Sequence, residues 1–171
     1  MTHPRAWHAR MTEVMFRGFC EDRGLGQLVG SSSWGHESGL DYVEFKYLQP
    51  VALERRQVDW LDEDVSTLVS CGHGTYWEAV PWILAGGCLS PSDRQTVFGE
   101  REWHGVEGCF VTPDFEAWAG HYSWPCNVFG NKCYYGVGFR ALACDRYLKR
   151  NSIAQGIRQC TRGSMTHEVL C

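Results

Sequence analysis

The segment Cys-Gly-His-Gly-Thr at residues 71–75 constrains the fold of this chain more than any other stretch. It follows the apolar residues 67–69, which are typical of the end of a buried strand. It precedes residues 77–86, where apolar residues recur at helical spacing before a Gly-Gly stop. The pattern predicts a histidine between two glycines at a strand-to-helix turn. Glycine lets backbone amides approach a ligand closely, although a turn that needs glycine only for its geometry would look the same.

The start of the helix after this segment can be narrowed down. Thr75 and Glu78 have the spacing of a capping box. Pro81 is tolerated only in the first turn of a helix, which argues against a start at Thr75. We therefore expect the helix to begin near Glu78 and to leave Thr75 for other contacts.

Composition limits the class of protein. The chain has 171 residues, 44% of them hydrophobic and 13% aromatic, which suits one packed domain with or without an N-terminal extension. The boundaries we predict are an extension or subdomain of unclear role at residues 1–66 and the main domain at residues 67–171. A net charge of −4 argues against binding nucleic acid through overall charge, though not against a local basic patch.

The nine cysteines are odd in number and include no CxxC pair, so neither full disulfide pairing nor a zinc motif is expected. The first residues lack the apolar run of a signal peptide, and no stretch is apolar for the length of a membrane span. These features predict free thiols in an intracellular protein, cytoplasmic or nuclear, that does not enter membranes. A disulfide-rich secreted domain is the alternative.

The predicted elements of residues 1–66 are two helices, a loop and a strand, and none of them carries evident chemistry. In order they are a helix at 13–19 capped by Thr12, a flexible loop at 30–39, a strand at 40–48 and an amphipathic helix at 51–61.

The second half contains further strands and a strong helix start. A short strand at 108–112 leads into Thr112-Pro113-Asp114, which places a hydroxyl cap, a proline and an acid at the beginning of a helix. That helix has an apolar stripe, most simply explained as core, at Phe115, Trp118, Ala119 and Tyr122. Residues 133–143 alternate like a strand, 145–163 resemble a solvated loop or exposed helix with five basic residues, and 165–171 form a last strand that contains Glu168.

Two motifs are set aside. Residues 136–141 match the dinucleotide pattern G-x-G-x-x-A, but the glycines fall inside a strand pattern, with no helix and no acid-bearing strand after them. Cysteine and histidine are both plentiful, yet nothing selects one pair as nucleophile and base, and a buried inert cysteine is the usual case.

Taken in order, the His-Gly-Thr segment, the strand that leads into the helix ending at Tyr122, and Glu168 in a late strand resemble the ADP-ribosyltransferase superfamily. The resemblance covers residues 68–171 and is to the poly(ADP-ribose)-polymerase-like branch, with its His–Tyr–Glu core. It implies an α+β fold of two small, mostly antiparallel sheets facing a cleft, with helices outside.

The resemblance also implies roles for individual residues. His73 would bind the adenosine ribose of NAD, the Gly74 backbone would hold the nicotinamide amide with Thr75 beside it, and Tyr122 would stack on the nicotinamide ring next to Phe110. Glu168, with His73, would be catalytic. NAD would be the substrate of a glycosyl transfer that needs no metal.

The chemistry suits these residue types, because breaking the nicotinamide–ribose bond develops positive charge that a carboxylate stabilises. Two positions depart from the family. Phe110 stands where tyrosine is usual, and Ala119 where many members have serine. The glutamate that arginine-modifying members carry two positions before the catalytic one is also missing.

The expected activity is transfer of ADP-ribose, as a single unit rather than a polymer, to an unknown protein or nucleic-acid acceptor. The oligomeric state is left open. Two alternatives remain: an inactive transferase-like module that binds a ligand or protein, and a relative of the RNA 2′-phosphotransferases, for whose motifs Arg94 and His104 are the nearest candidates.

Overall fold

The described part of the chain combines helices with two antiparallel sheets. The structure is a computed structural model, and it describes residues 4–48, 68–89, 109–144, 148–150, 158–160 and 164–170. The elements in chain order are α1 (Pro4–Glu21), β1 (Val29–Glu37), β2 (Leu40–Tyr47), β3 (Leu68–Thr75), α2 (Val80–Gly86), β4 (Cys88–Leu89), β5 (Cys109–Val111), a π-helix (Glu116–His121), β6 (Val137–Cys144), β7 (Leu148–Arg150), β8 (Arg158–Cys160) and β9 (Ser164–Leu170).

The larger sheet has the strand order β1-β2-β9-β6-β3, and β4 pairs with the beginning of β9. The smaller sheet has the order β5-β8-β7. All of these pairings are antiparallel, which confirms the α+β class with antiparallel sheets. Since β2 pairs with β9, residues of the predicted N-terminal extension and of the predicted main domain lie in one sheet.

Helix α1 covers one face of the larger sheet. Phe16 is fully buried, and its ring centroid lies 4.7 Å from that of Phe45 in β2. Cys20, one turn later, is also fully buried, and this burial raises the pKa of its thiol to about 11. The helix is longer than the predicted 13–19, because Thr12 is not a cap: its hydroxyl lies inside the helix and donates to the carbonyl of His8 at 3.0 Å.

The predicted flexible loop at 30–39 is wrong, because most of it is strand β1. β1 pairs with β2 from Val29 opposite Tyr47 to Glu37 opposite Leu40, with one irregularity near its start. The two-residue turn has positive φ at Ser38 (49°) and Gly39 (79°), which is the type I′ geometry that matches the twist of a hairpin. The glycine- and serine-rich composition indicated a loop, but a largely exposed edge strand can have the same composition.

The predicted turn at 71–75 is also wrong, because β3 continues to Thr75. His73 is opposite Phe139 of β6, and Gly74 is opposite Gly138. The strand-to-helix connection follows this segment instead. A 3₁₀ turn, Trp77–Ala79, leads into α2, in which Pro81 occupies the first turn. Gly87, at φ 70°, ends α2 and confirms the predicted glycine stop.

Three further predictions can be compared with the structure. The strand expected at 133–143 begins only at Val137, and the final strand is confirmed as β9. Within 145–163, β7 and β8 are strands rather than loop or helix, because they extend the short sheet that starts with β5. The helix expected at 51–61 lies outside the described residues.

Candidate functional site

Three glycines in β3 and β6 make room for one tryptophan. A Cβ atom at Gly72 or at Gly138 would overlap the indole ring of Trp118, and a Cβ at Gly74 would overlap the backbone at Trp118, Tyr122 and Ser123. Trp118 is 3% exposed. The glycines are therefore required for close packing of the π-helix on this face of the sheet, and not for a turn.

His73 is held by the neighbouring strand. Its Nδ1 lies 2.8 Å from the carbonyl oxygen of Phe110 in β5. Because a carbonyl oxygen only accepts, Nδ1 carries the proton of this bond, and in the neutral ring Nε2 is an acceptor. The contact joins the histidine segment to the strand that leads into the π-helix.

The edge of β3 presents backbone groups beside the histidine. The amide of Gly72 donates to the carbonyl of Thr112 at 2.8 Å, and the amide of Thr112 donates to the carbonyl of Gly72 at 3.1 Å. In an antiparallel strand, every second residue directs its N–H and C=O to the same side. The N–H and C=O of Gly74 therefore point to the same edge as those of Gly72, away from β6.

After Thr112, the chain forms a helix cap and then the π-helix. The hydroxyl of Thr112 accepts from the amide of Asp114 at 3.2 Å, and the carboxylate of Asp114 accepts from the amide of Ala117 at 3.3 Å. The helix begins close to the predicted position, but its cap is Asp114 and not the predicted Thr112, because the helix starts after Pro113. The amide of Tyr122 bonds the carbonyl of Ala117 five residues earlier, at 2.9 Å. Single π-turns of this kind occur frequently at functional sites.

Glu168 lies in β9, two strands away from β3. It is opposite Arg140, which is opposite Gly72, whereas His73 is opposite Phe139. Neighbouring strands are separated by about 4.8 Å, so the backbones of β3 and β9 are about 10 Å apart. Neighbouring rows of a pleated sheet alternate between its faces. Glu168 is in the row of Gly72, and Gly74 is two rows along, so the position of Glu168 is on the face of these glycines and not on that of His73.

The predicted site residues are thus brought together in part. His73, Gly74, Phe110 and Tyr122 meet where β3, β5 and the end of the π-helix adjoin. Thr75 is 2% exposed, so its side chain belongs to the interior. The sequence analysis assigned Trp118 to the core but did not predict that Gly72 and Gly138 leave space for its indole ring. The signal was the recurrence of glycine at every second position in two strands, which indicates that something approaches each strand closely.

Near this region, the described residues include an ion pair. The guanidinium of Arg140 donates to the Glu44 carboxylate at 3.1 Å, beside the register position of Glu168. Within the described ranges, no group of three His, Cys, Asp or Glu residues could hold a metal ion. The cysteines described there as free thiols are Cys20, Cys71, Cys126 and Cys133.

A separate cavity of about 390 Å³ opens between α1, the beginning of β2 and the π-helix. Ala119 and Gly138 line it, but His73, Gly74 and Tyr122 do not. It is therefore distinct from the edge of β3 where the sequence-predicted residues lie.

Comparison of the chain with protein-family models, with curated protein sequences and with solved structures found no match. In the part of the chain that the structure describes, no helix is both long and apolar enough to cross a membrane.

Proposed function

We propose that this protein binds NAD at the edge of β3 and transfers its ADP-ribose unit to an acceptor, with release of nicotinamide. The observation that carries the proposal is the direction of the Gly74 backbone groups. One donor and one acceptor on the same edge are what a carboxamide needs, since its oxygen accepts from the N–H and its NH₂ donates to the C=O. We also propose that the two sheets face each other across a cleft, as in the family that the sequence resembles, and that NAD lies in this cleft.

Two neighbouring side chains suit the rest of the ligand. Tyr122 follows the π-helix whose end packs on Gly74, and its half-buried ring would stack on the flat nicotinamide. His73, with Nδ1 engaged by Phe110, would accept a hydrogen bond from a ribose hydroxyl through Nε2. The carbonyl oxygen of Phe110 makes this contact from the backbone, so the contact does not depend on the side chain at position 110.

Glu168 is the proposed catalytic carboxylate. Departure of nicotinamide leaves positive charge on the ribose, and a carboxylate beside it stabilises the transition state more than the ground state. The register puts Glu168 in the row of Gly72, on the same face of the sheet as Gly74, and this supports the role. The acceptor then attacks the ribose carbon and takes the ADP-ribose.

Nicotinamide release from NAD tests the reaction without a known acceptor, because water can replace it. Glu168→Gln should reduce the rate on the order of 10²–10³-fold while leaving the affinity for NAD nearly unchanged. Glu116→Gln, at an exposed carboxylate of the π-helix, is the matched control and should keep full activity. Equal loss in both variants, or in neither, would remove Glu168 from the mechanism.

Binding of the carboxamide can be tested separately. Nicotinamide should raise the melting temperature, whereas nicotinic acid should not, since its carboxylate cannot donate to the Gly74 carbonyl and repels it. If neither compound binds and NAD gives no shift, the proposal is wrong.

A second candidate function is a module that binds the same ligand without turnover. The observation in its favour is Ala119, which cannot supply the hydroxyl that many active relatives of this fold use. Nicotinamide-dependent stabilisation without nicotinamide release from NAD would select this second function.

A further inference from the structure

We infer that the cavity between α1 and the beginning of β2 is a binding site for a small organic ammonium cation, such as a quaternary or methylated amine. This inference does not depend on the proposed function. It rests on the size of the cavity, the aromatic rings that line it and the sign of the charge there.

The cavity has the volume of a small-molecule site. At about 390 Å³ it is at the lower end of the range of roughly 300–1,000 Å³ that ligand pockets occupy. Gly136 and Gly138 also line it, but the side chains of Ser123 and Trp118 occupy the space beside these two glycines, so they add no room for a ligand. A compact ligand therefore fits better than an extended one.

Aromatic rings dominate the walls. The rings that line the cavity are those of Trp34, Tyr42, Phe115, Tyr134 and Tyr135. The centroids of Tyr42 and Phe115 are 5.3 Å apart with the planes inclined by 51°, so these two rings form a corner. Trp34 and Tyr134 are 56% and 74% exposed, which places them at the mouth, where their faces can close over a ligand.

The charge at the cavity favours a cation. Asp41 and His8 are the titratable Asp and His residues that line it, and of the described residues that do so none is lysine or arginine. The Asp41 carboxylate lies 2.7 Å from Nδ1 of His36, and its negative charge attracts a cation without a donated hydrogen bond. Aromatic faces attract alkylammonium ions through their negative quadrupole, and an acid at the rim adds long-range attraction.

Choline is the probe, and 3,3-dimethylbutan-1-ol, which has the same shape without the charge, is the matched control ligand. Titration calorimetry should detect choline and find the neutral alcohol at least about tenfold weaker. Equal binding of the two, or no choline binding at millimolar concentration, would overturn the inference.

Variants locate the site on the chain. Trp34→Ala and Asp41→Asn should each weaken choline binding by about three- to thirtyfold. Trp82→Ala removes a more exposed indole, 70% against 56% for Trp34, from α2, outside the cavity, and should change nothing. Since Trp34 is largely exposed, its loss should leave the fold intact, as the melting temperature will show. Choline affinity that survives both cavity variants would place any binding elsewhere and contradict the assignment.

Discussion

The two faces of the larger sheet are packed in opposite ways. On the face under α1, large side chains such as Phe16, Phe45 and Phe139 are fully buried and fill the space between sheet and helix. On the other face, glycines remove side chains from the sheet so that Trp118 can lie on its backbone, with Phe115 beside it. The first face is packed by large side chains of the sheet, whereas the second face is packed by Trp118 against glycines that have no side chain.

The largest effect is expected on the face under α1. Phe16→Ala should lower the free energy of unfolding by about 3–5 kcal/mol, because it leaves a cavity among rings that cannot collapse into it. Val14→Ala, on the exposed side of the same helix, is the control and should stay within about 0.5 kcal/mol. Denaturant unfolding measures both. Comparable losses would mean that α1 does not pack as described.

The glycine face should respond to added volume rather than to its removal. Gly72→Ala should cost about 1–3 kcal/mol, since the new methyl group overlaps the Trp118 ring. Gly18→Ala is the matched control: it lies inside α1 with open space around it, and should stabilise by about 0.5–1 kcal/mol. If both changes have the same sign, the glycines of β3 are not there to admit Trp118.

A double variant sharpens this prediction. Gly72→Ala combined with Trp118→Leu should be more stable than the sum of the single changes by about 0.5–3 kcal/mol, because the smaller side chain leaves room for the methyl group. Thermal and denaturant unfolding of the four proteins of the cycle give this coupling. Strict additivity would show that the two positions do not touch.

The smallest expected effect is a pH dependence of stability that arises from Glu13 of α1, at the rim of the face under this helix. A hydrogen bond from Ser32, at 2.6 Å, is the main cause that lowers the pKa of Glu13 below its ordinary value of 4.5, with Arg17 also contributing. The stability that this bond contributes is complete above pH 4.5 and is lost as pH falls through the lower pKa of the folded state.

Ser32→Ala should therefore lower the melting temperature at pH 7, and the difference from the unaltered protein should shrink towards pH 3. Ser33→Ala, at the next and more exposed position, is the control. A difference that does not change with pH would show that Glu13 is not responsible. The effect is small because both partners are partly exposed to solvent.

Local patterns predicted several elements correctly. The alternation of residues 40–48 predicted β2, and the cap at Thr112-Pro113-Asp114 predicted the helix start. Such signals lie within a few residues of one another, so they survive without tertiary context. Strand β1 was not predicted because its serines and glycines show no alternation of apolar and polar residues. Its pairing with β2 stabilises it as a strand.

The sequence by itself determined the α+β class and the order of the segments that carry the candidate chemistry. It also determined the choice of His73, Gly74 and Tyr122 as candidate site residues. Only the tertiary structure decided that His73 lies within a strand, that its Nδ1 is bound to Phe110, and that the glycines of β3 and β6 fit Trp118. The physical reason is that a glycine looks the same in a turn and under a packed ring. Which of the two it serves depends on residues distant in the chain, and only the fold brings those together.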